Sequence, residues 1–167
     1  MVIAAKLPSI QMPAMLGMPI AGLLWSLATL HVNSALVTSL DVHPMEAFFT
    51  IAVGGMALTL AIWVGFAAVC WAMIRGFGGR VPILSLTTLI SRAAPPLWIS
   101  AIAAVYWLNG MGGNGLFPAI AALVSIALFL QTLARILEVE LVWSQTRAVA
   151  SVGSVAVFLT CFVYLSL

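Results

Sequence analysis

The stretch Ala93–Ala134, AAPPLWISAIAAVYWLNGMGGNGLFPAIAALVSIALFLQTLA, contains no Asp, Glu, Lys or Arg. It is about twice the roughly 20 residues a helix needs to cross a bilayer, so it cannot be a single span. Its middle, Asn109-Gly-Met-Gly-Gly-Asn-Gly115, holds four glycines in seven residues, and glycine loses more freedom on entering a helix than any other residue. The stretch therefore predicts two apolar helices joined by a tight turn.

The remainder of the chain has the same character. Charge is confined to Lys6, Asp41, Glu46, Arg75, Arg80, Arg92, Arg135, Glu138, Glu140 and Arg147, leaving further uncharged runs at Leu7–Leu40, Ala47–Ile74 and Ala148–Leu167. Apolar residues make up 64% of the chain and charged residues 6%, against roughly 25% charged in a soluble domain. Water could not solvate the surface of such a bundle, whereas lipid accepts apolar side chains on the outside. The expectation is an all-α integral membrane helical bundle, a single transmembrane domain over residues 1–167. Its five or so helices fall near 15–40, 47–74, 82–108, 115–137 and 145–167, the N-terminal segment being the first span rather than a signal peptide. Pro13, Pro19, Pro44, Pro82 and Pro118 fall near helix starts, where a missing amide hydrogen is harmless.

Orientation follows from the basic residues. With the N-terminus in the cytoplasm, Lys6, the Arg75–Arg80 turn and the Arg135–Arg147 connection all lie on the cytoplasmic side, as the positive-inside rule requires. The turn with Asp41 and Glu46, the glycine turn and the C-terminus then lie outside. A four-helix count would divide the arginines between the two faces. The net charge of +2 is too small and too dispersed for a nucleic-acid surface. A composition rich in Ala, Gly, Val and Leu with a single Lys points to a bacterial inner membrane.

Few residues offer chemistry. Arg92 either lies within the membrane facing protein or water, or follows an interfacial helix, Ile83–Ser91, joined to the span at Pro95-Pro96. Its guanidinium then snorkels to the headgroups, or forms one lipid- or partner-binding basic patch with Arg75 and Arg80. His31, in the most polar helix with Ser26, Thr29, Asn33, Ser34 and Thr38, is expected to hydrogen-bond inside the bundle. Haem ligation would usually need a second axial ligand, and a quinone or proton role for His31 is the other alternative.

Asp41, His43 and Glu46 share one turn but lack the spacing of a zinc site, so no metal is expected. Glu138 and Glu140, with Arg135 three residues before the first, suit a solvated helix face. Cys70 and Cys161 are expected at different depths, too far apart for a disulfide. No nucleophile–base pair and no phosphate-cradling glycine motif can be assembled, so neither catalysis nor a cofactor is expected. For helix contacts, Ala57, Ala61 and Gly65 at four-residue spacing, and Ala150, Gly153 and Ser154, supply the small residues that packing in lipid requires.

RGFGGRVPILSLTTLISRAAPPLWISA, Arg75–Ala101, resembles the middle of the Yip family of Ypt/Rab-interacting membrane proteins: a glycine-containing turn, a weakly amphipathic helix and a proline entering the third span. EVELVWSQTRAVASVGSVAVFLTCF, Glu138–Phe162, is similar to that family's last connection. The resemblance implies five spans, a cytoplasmic N-terminus and a non-enzymatic role in membrane organisation. It covers under a third of the chain, and the long N-terminal region of the eukaryotic members has no counterpart. Two functions follow as expectations. One is a scaffold or accessory subunit packing with other membrane protein subunits and lipids, or a Yip-like organiser; the other is a small transport or redox protein using His31, Arg92 or both.

Overall fold

The computed structural model describes residues 15–39, 43–111 and 115–166. Lys6, Pro13 and Asp41 lie outside them. Seven helices follow one another: α1 Gly17–Val32, α2 Ser34–Ser39, α3 Pro44–Gly76, α4 Ile83–Ala93, α5 Pro95–Leu108, α6 Leu116–Glu140 and α7 Gln145–Ser166. No strand occurs among the described residues. α5 ends at Leu108 and α6 begins at Leu116, on either side of the glycine-rich stretch.

Two of the expected helices are each in two pieces. The first breaks at Asn33, whose side-chain amide donates to the Thr29 carbonyl at 2.9 Å and so competes with the backbone ladder. The third bends by 67° between α4 and α5. Pro95 and Pro96 lack amide hydrogens, so neither can continue the hydrogen-bond ladder of α4, but both are tolerated in the first turn of α5. The Leu97 amide instead folds back on the Ala94 carbonyl at 2.7 Å.

Helix ends follow local chemistry. At the start of α3, His43 Nδ1 accepts from the Met45 amide at 3.3 Å, with Pro44 and Glu46 in the first turn, all favourable at a helix N-terminus. α3 ends with Gly78 at φ +78, the Gly78 amide reaching the Arg75 carbonyl and the Gly79 amide the Ile74 carbonyl. That crossed pair satisfies two otherwise orphaned carbonyls and needs the left-handed conformation that glycine adopts freely. Gly110 closes α5 in the same way.

Two helices, Met45–Gly76 and Leu116–Glu140, are long and apolar enough to cross a membrane, each with mean hydropathy 2.1, and the bent pair α4–α5 makes a third if it counts as one span. The outer surface of these helices is apolar: Leu58, Ile62 and Val64 of α3 and Phe117 and Leu123 of α6 are exposed. A belt of this kind is stable against lipid and not against water.

The long helices close a ring. α1 packs on α3 and α5, α5 on α6, α6 on α7, and α7 back on α3, while α4 lies against α3 and α6 at one end. Leu86, Ile90 and Ala93 of α4 are fully buried and join Ile74, Leu133 and Leu137 in the main core. That end of the ring is plugged by α4.

Close approach depends on four small residues at the α1–α3 contact. A Cβ on Gly22 would sit 2.6 Å from Thr59 Oγ1, and one on Gly55 would overlap the Ser26 hydroxyl, which itself donates to the Gly22 carbonyl at 2.9 Å. Gly22 and Ser26, like Gly55 and Thr59, are four residues apart, one turn of helix. Nearby, Gly17 lies against the Ser91 carbonyl and Ala94, and its own carbonyl accepts from Trp98 Nε1 at 2.8 Å. The start of α1 is thereby fastened to the α4–α5 elbow.

Within the bundle, the structure turns most of the small residues named from the sequence, Ser154 excepted, away from the neighbouring helices. Ala57, Ala61 and Gly65 are exposed, as are Ala150 and Gly153, and a Cβ on Gly65 or Gly153 would meet nothing within 4 Å. The reason is angular. Residues 55 and 57 are about 200° apart around a helix, so the two small-residue runs of α3 occupy opposite faces, and the Gly22–Ser26 surface of α1 engages only one. α7 packs through Ala148, Ser151, Val152 and Val155 instead.

Candidate functional site

The start of α1, the end of α3, the start of α5, the end of α6 and the start of α7 meet at the end plugged by α4. Arg75, Arg80, Arg92 and Arg147 collect there with Glu138 and Glu140, and Arg135 is within two turns of the end of α6. His31, His43 and Glu46 lie at the opposite end. The one-sidedness of the arginines is therefore a property of the packed bundle for every arginine.

The turn Phe77–Pro82 is the most elaborated part of the basic end. The Phe77 carbonyl, at the negative end of the α3 dipole, accepts from Arg147 Nε at 2.8 Å and from a terminal guanidinium nitrogen of the same side chain. A cation is favourable at such a position. The same guanidinium lies 4.5 Å from the centre of the Trp143 ring. That ring closes over Gly79, where a Cβ would sit 2.6 Å from it. On the other side, Trp71 Nε1 donates to the Val81 carbonyl at 3.1 Å. One tryptophan from α3 and one from the α6–α7 connection thus hold the turn.

Between the turn and the start of α4 is an open cleft of ≈ 820 Å³, lined by Trp71, Arg75, Gly78–Val81, Pro82 and Ile83. The Arg75 guanidinium lies 4.3 Å over the Trp71 ring, an arrangement that holds the charge in place at modest desolvation. Arg75 and Arg80 are both exposed. Among the described residues neither has an ion-pair or hydrogen-bond partner. Two positive groups on one cleft attract an anion.

Of the three arginines expected to form one patch, the structure brings Arg75 and Arg80 together and sets Arg92 apart. Arg92 stands nine residues beyond Ile83, roughly 13 Å along α4, and its guanidinium is 3.8 Å from Glu140 Oε1 with both side chains about half exposed. Such a surface pair contributes little stability. Arg92 therefore sits near the end of α4, before the elbow at Pro95-Pro96.

Arg147 takes the place beside the turn instead. The signal for it lay in spacing: Trp71 precedes Arg75, and Trp143 precedes Arg147, each by four residues, which stacks ring and guanidinium on one helix face or turn.

His31 is exposed in the last turn of α1, its ring 6.4 Å from that of Tyr106. Its ring makes no hydrogen bond among the described residues, contrary to the expectation of one inside the bundle. His43 caps α3, which accounts for its place in the turn. Cys70 is buried, Cys161 is exposed, and both are free. No protein-family model, curated protein or solved structure matches the chain, and the likeness to the Yip family stands on its quoted residues alone.

Proposed function

We propose that the chain is a non-enzymatic integral membrane protein that crosses the bilayer five times with its N-terminus in the cytoplasm. It serves as a scaffold or accessory subunit of a larger membrane assembly, or as a Yip-like membrane organiser, in a bacterial inner membrane. The observation that carries this reading is the content of the interior. Among the described residues the buried polar side chains are Ser26, Ser91, Ser100, Ser125 and Ser151, with no buried Asp, Glu, Lys, Arg or His. Ion-coupled transport relies on a titratable or charged group near the midplane, whereas a scaffold needs only apolar packing and an anchored end. The basic end supplies the anchor, its arginines facing anionic headgroups at the cytoplasmic surface.

Purification in mild detergent, followed by mass spectrometry and a visible spectrum, tests the function. Stoichiometric co-purifying membrane subunits with no pigment are expected. A Soret band that disappears in His31→Gln would replace this reading with a redox protein.

Orientation has its own test. With Cys70 and Cys161 replaced by serine, single cysteines at Ser144 and Met111, both exposed, should react with impermeant maleimide from opposite sides, Ser144→Cys from the cytoplasm and Met111→Cys from outside. Labelling of both from one side would remove the five-span arrangement.

A further inference from the structure

The cleft between α3 and α4 has a composition that selects for more than charge. Its walls carry Arg75 and Arg80, neither ion-paired among the described residues. Pro82 and Ile83 at the start of α4 form its far edge, and because that helix opens with no side-chain cap, its N-terminus adds partial positive charge beside the cleft. Immediately beyond, Ile83 and Leu84 are 41% and 76% exposed. A basic recess bordered by bare apolar side chains matches a molecule that is anionic at one end and hydrocarbon at the other. A free inorganic anion would use the arginines and leave Ile83 and Leu84 without a partner.

We propose that this cleft binds the phosphate group of an anionic phospholipid. Arg75 and Arg80 close on its oxygens, and the acyl chains pass Ile83 and Leu84. The inference rests on the membrane orientation proposed above, and it assigns no part to Arg92, which does not line the cleft and lies 3.8 Å from Glu140. Trp71 fixes the shape of the recess by holding the Val81 carbonyl, and it places an indole at headgroup depth, where indoles are enriched.

The test uses the 167-residue chain in detergent with equal phosphatidylglycerol and phosphatidylcholine, bound lipid being read by native mass spectrometry. The wild type should retain phosphatidylglycerol preferentially. Each arginine near an anionic lipid surface is worth about fivefold in binding, so Arg75→Gln with Arg80→Gln should lower that preference about twenty-five-fold. Both residues are exposed, and an unchanged melting temperature will show that the bundle is intact. Arg92→Gln should retain the wild-type preference.

Undiminished preference in the double variant overturns the site. Loss in Arg92→Gln alone moves lipid binding to the other side of α4 and overturns it equally. Complete displacement of phosphatidylglycerol by millimolar inorganic phosphate would make the cleft a free-phosphate site and overturn the lipid assignment. If cysteine labelling gives the expected orientation while the wild type shows no lipid preference, the cleft inference fails and the membrane reading survives.

Discussion

Gly55→Leu should strongly destabilise the folded bundle in mild detergent, while Gly65→Leu, ten residues along the same helix, should leave its stability intact. At position 55 even the first carbon of a side chain overlaps the Ser26 hydroxyl. Ser26 can rotate away only by giving up its bond to the Gly22 carbonyl, and α1 as a whole must then move off α3. Overpacking of this kind costs roughly 3 kcal/mol, a large part of the stability of a small domain.

At position 65 the new side chain meets nothing within 4 Å, and exchanging glycine for leucine removes a helix penalty of about 1 kcal/mol. Thermal unfolding followed by size-exclusion chromatography reads the difference. Gly55→Ser alone should also destabilise the contact, and adding Ser26→Gly, which moves the hydroxyl across it, should recover much of that loss, because neighbouring positions couple. Equal damage from Gly65→Leu would mean that the Ala57–Ala61–Gly65 face is a real contact and that α1 packs elsewhere.

Gly17→Val should be as severe for a different reason. The obstacle there is the Ser91 backbone carbonyl, with the Ala94 side chain at 3.0 Å, and no rotamer change relieves a clash with backbone. The first turn of α1 must lift from the α4–α5 elbow and lose the Trp98 indole bond. Trp98→Phe isolates that bond, keeps the packing, and should cost about 1 kcal/mol. Accumulation of the protein in membranes and its melting temperature measure both. Wild-type behaviour of Gly17→Val would show that α1 does not start against the elbow.

The features legible in the sequence are those set by local chemistry. The glycines between Asn109 and Gly115 allow only a turn, Pro95-Pro96 allows only a helix start, and the spacing of the ten charges limits where apolar helices can lie. The one-sidedness of the arginines was readable for the same reason, since it depends only on counting segments.

Pair contacts were not readable. Gly55–Thr59 and Ala57–Ala61–Gly65 are equally good small-residue runs, and the choice between them belongs to Gly22 and Ser26, some thirty residues away. Arg92 was grouped with Arg75 and Arg80 through nearness in sequence, but an eleven-residue helix carries it out of their reach. The Trp143–Arg147 spacing marks the stacking of ring on guanidinium, but not the partner of Arg147, because the Phe77 carbonyl is a backbone atom seventy positions distant.

The ring has a consequence for the order in which the protein is made. α3 and α6 both leave the ribosome before α7, yet each uses α7 as a neighbour, so the nascent bundle holds an unfilled groove between them. At about 5–20 residues per second, the 22 residues of α7 take roughly one to four seconds to synthesise. Throughout that interval the groove that receives Ser151, Val152 and Val155 lacks its helix. Closure of the ring is thus a late docking event, in which α7 enters a seat that earlier helices have shaped.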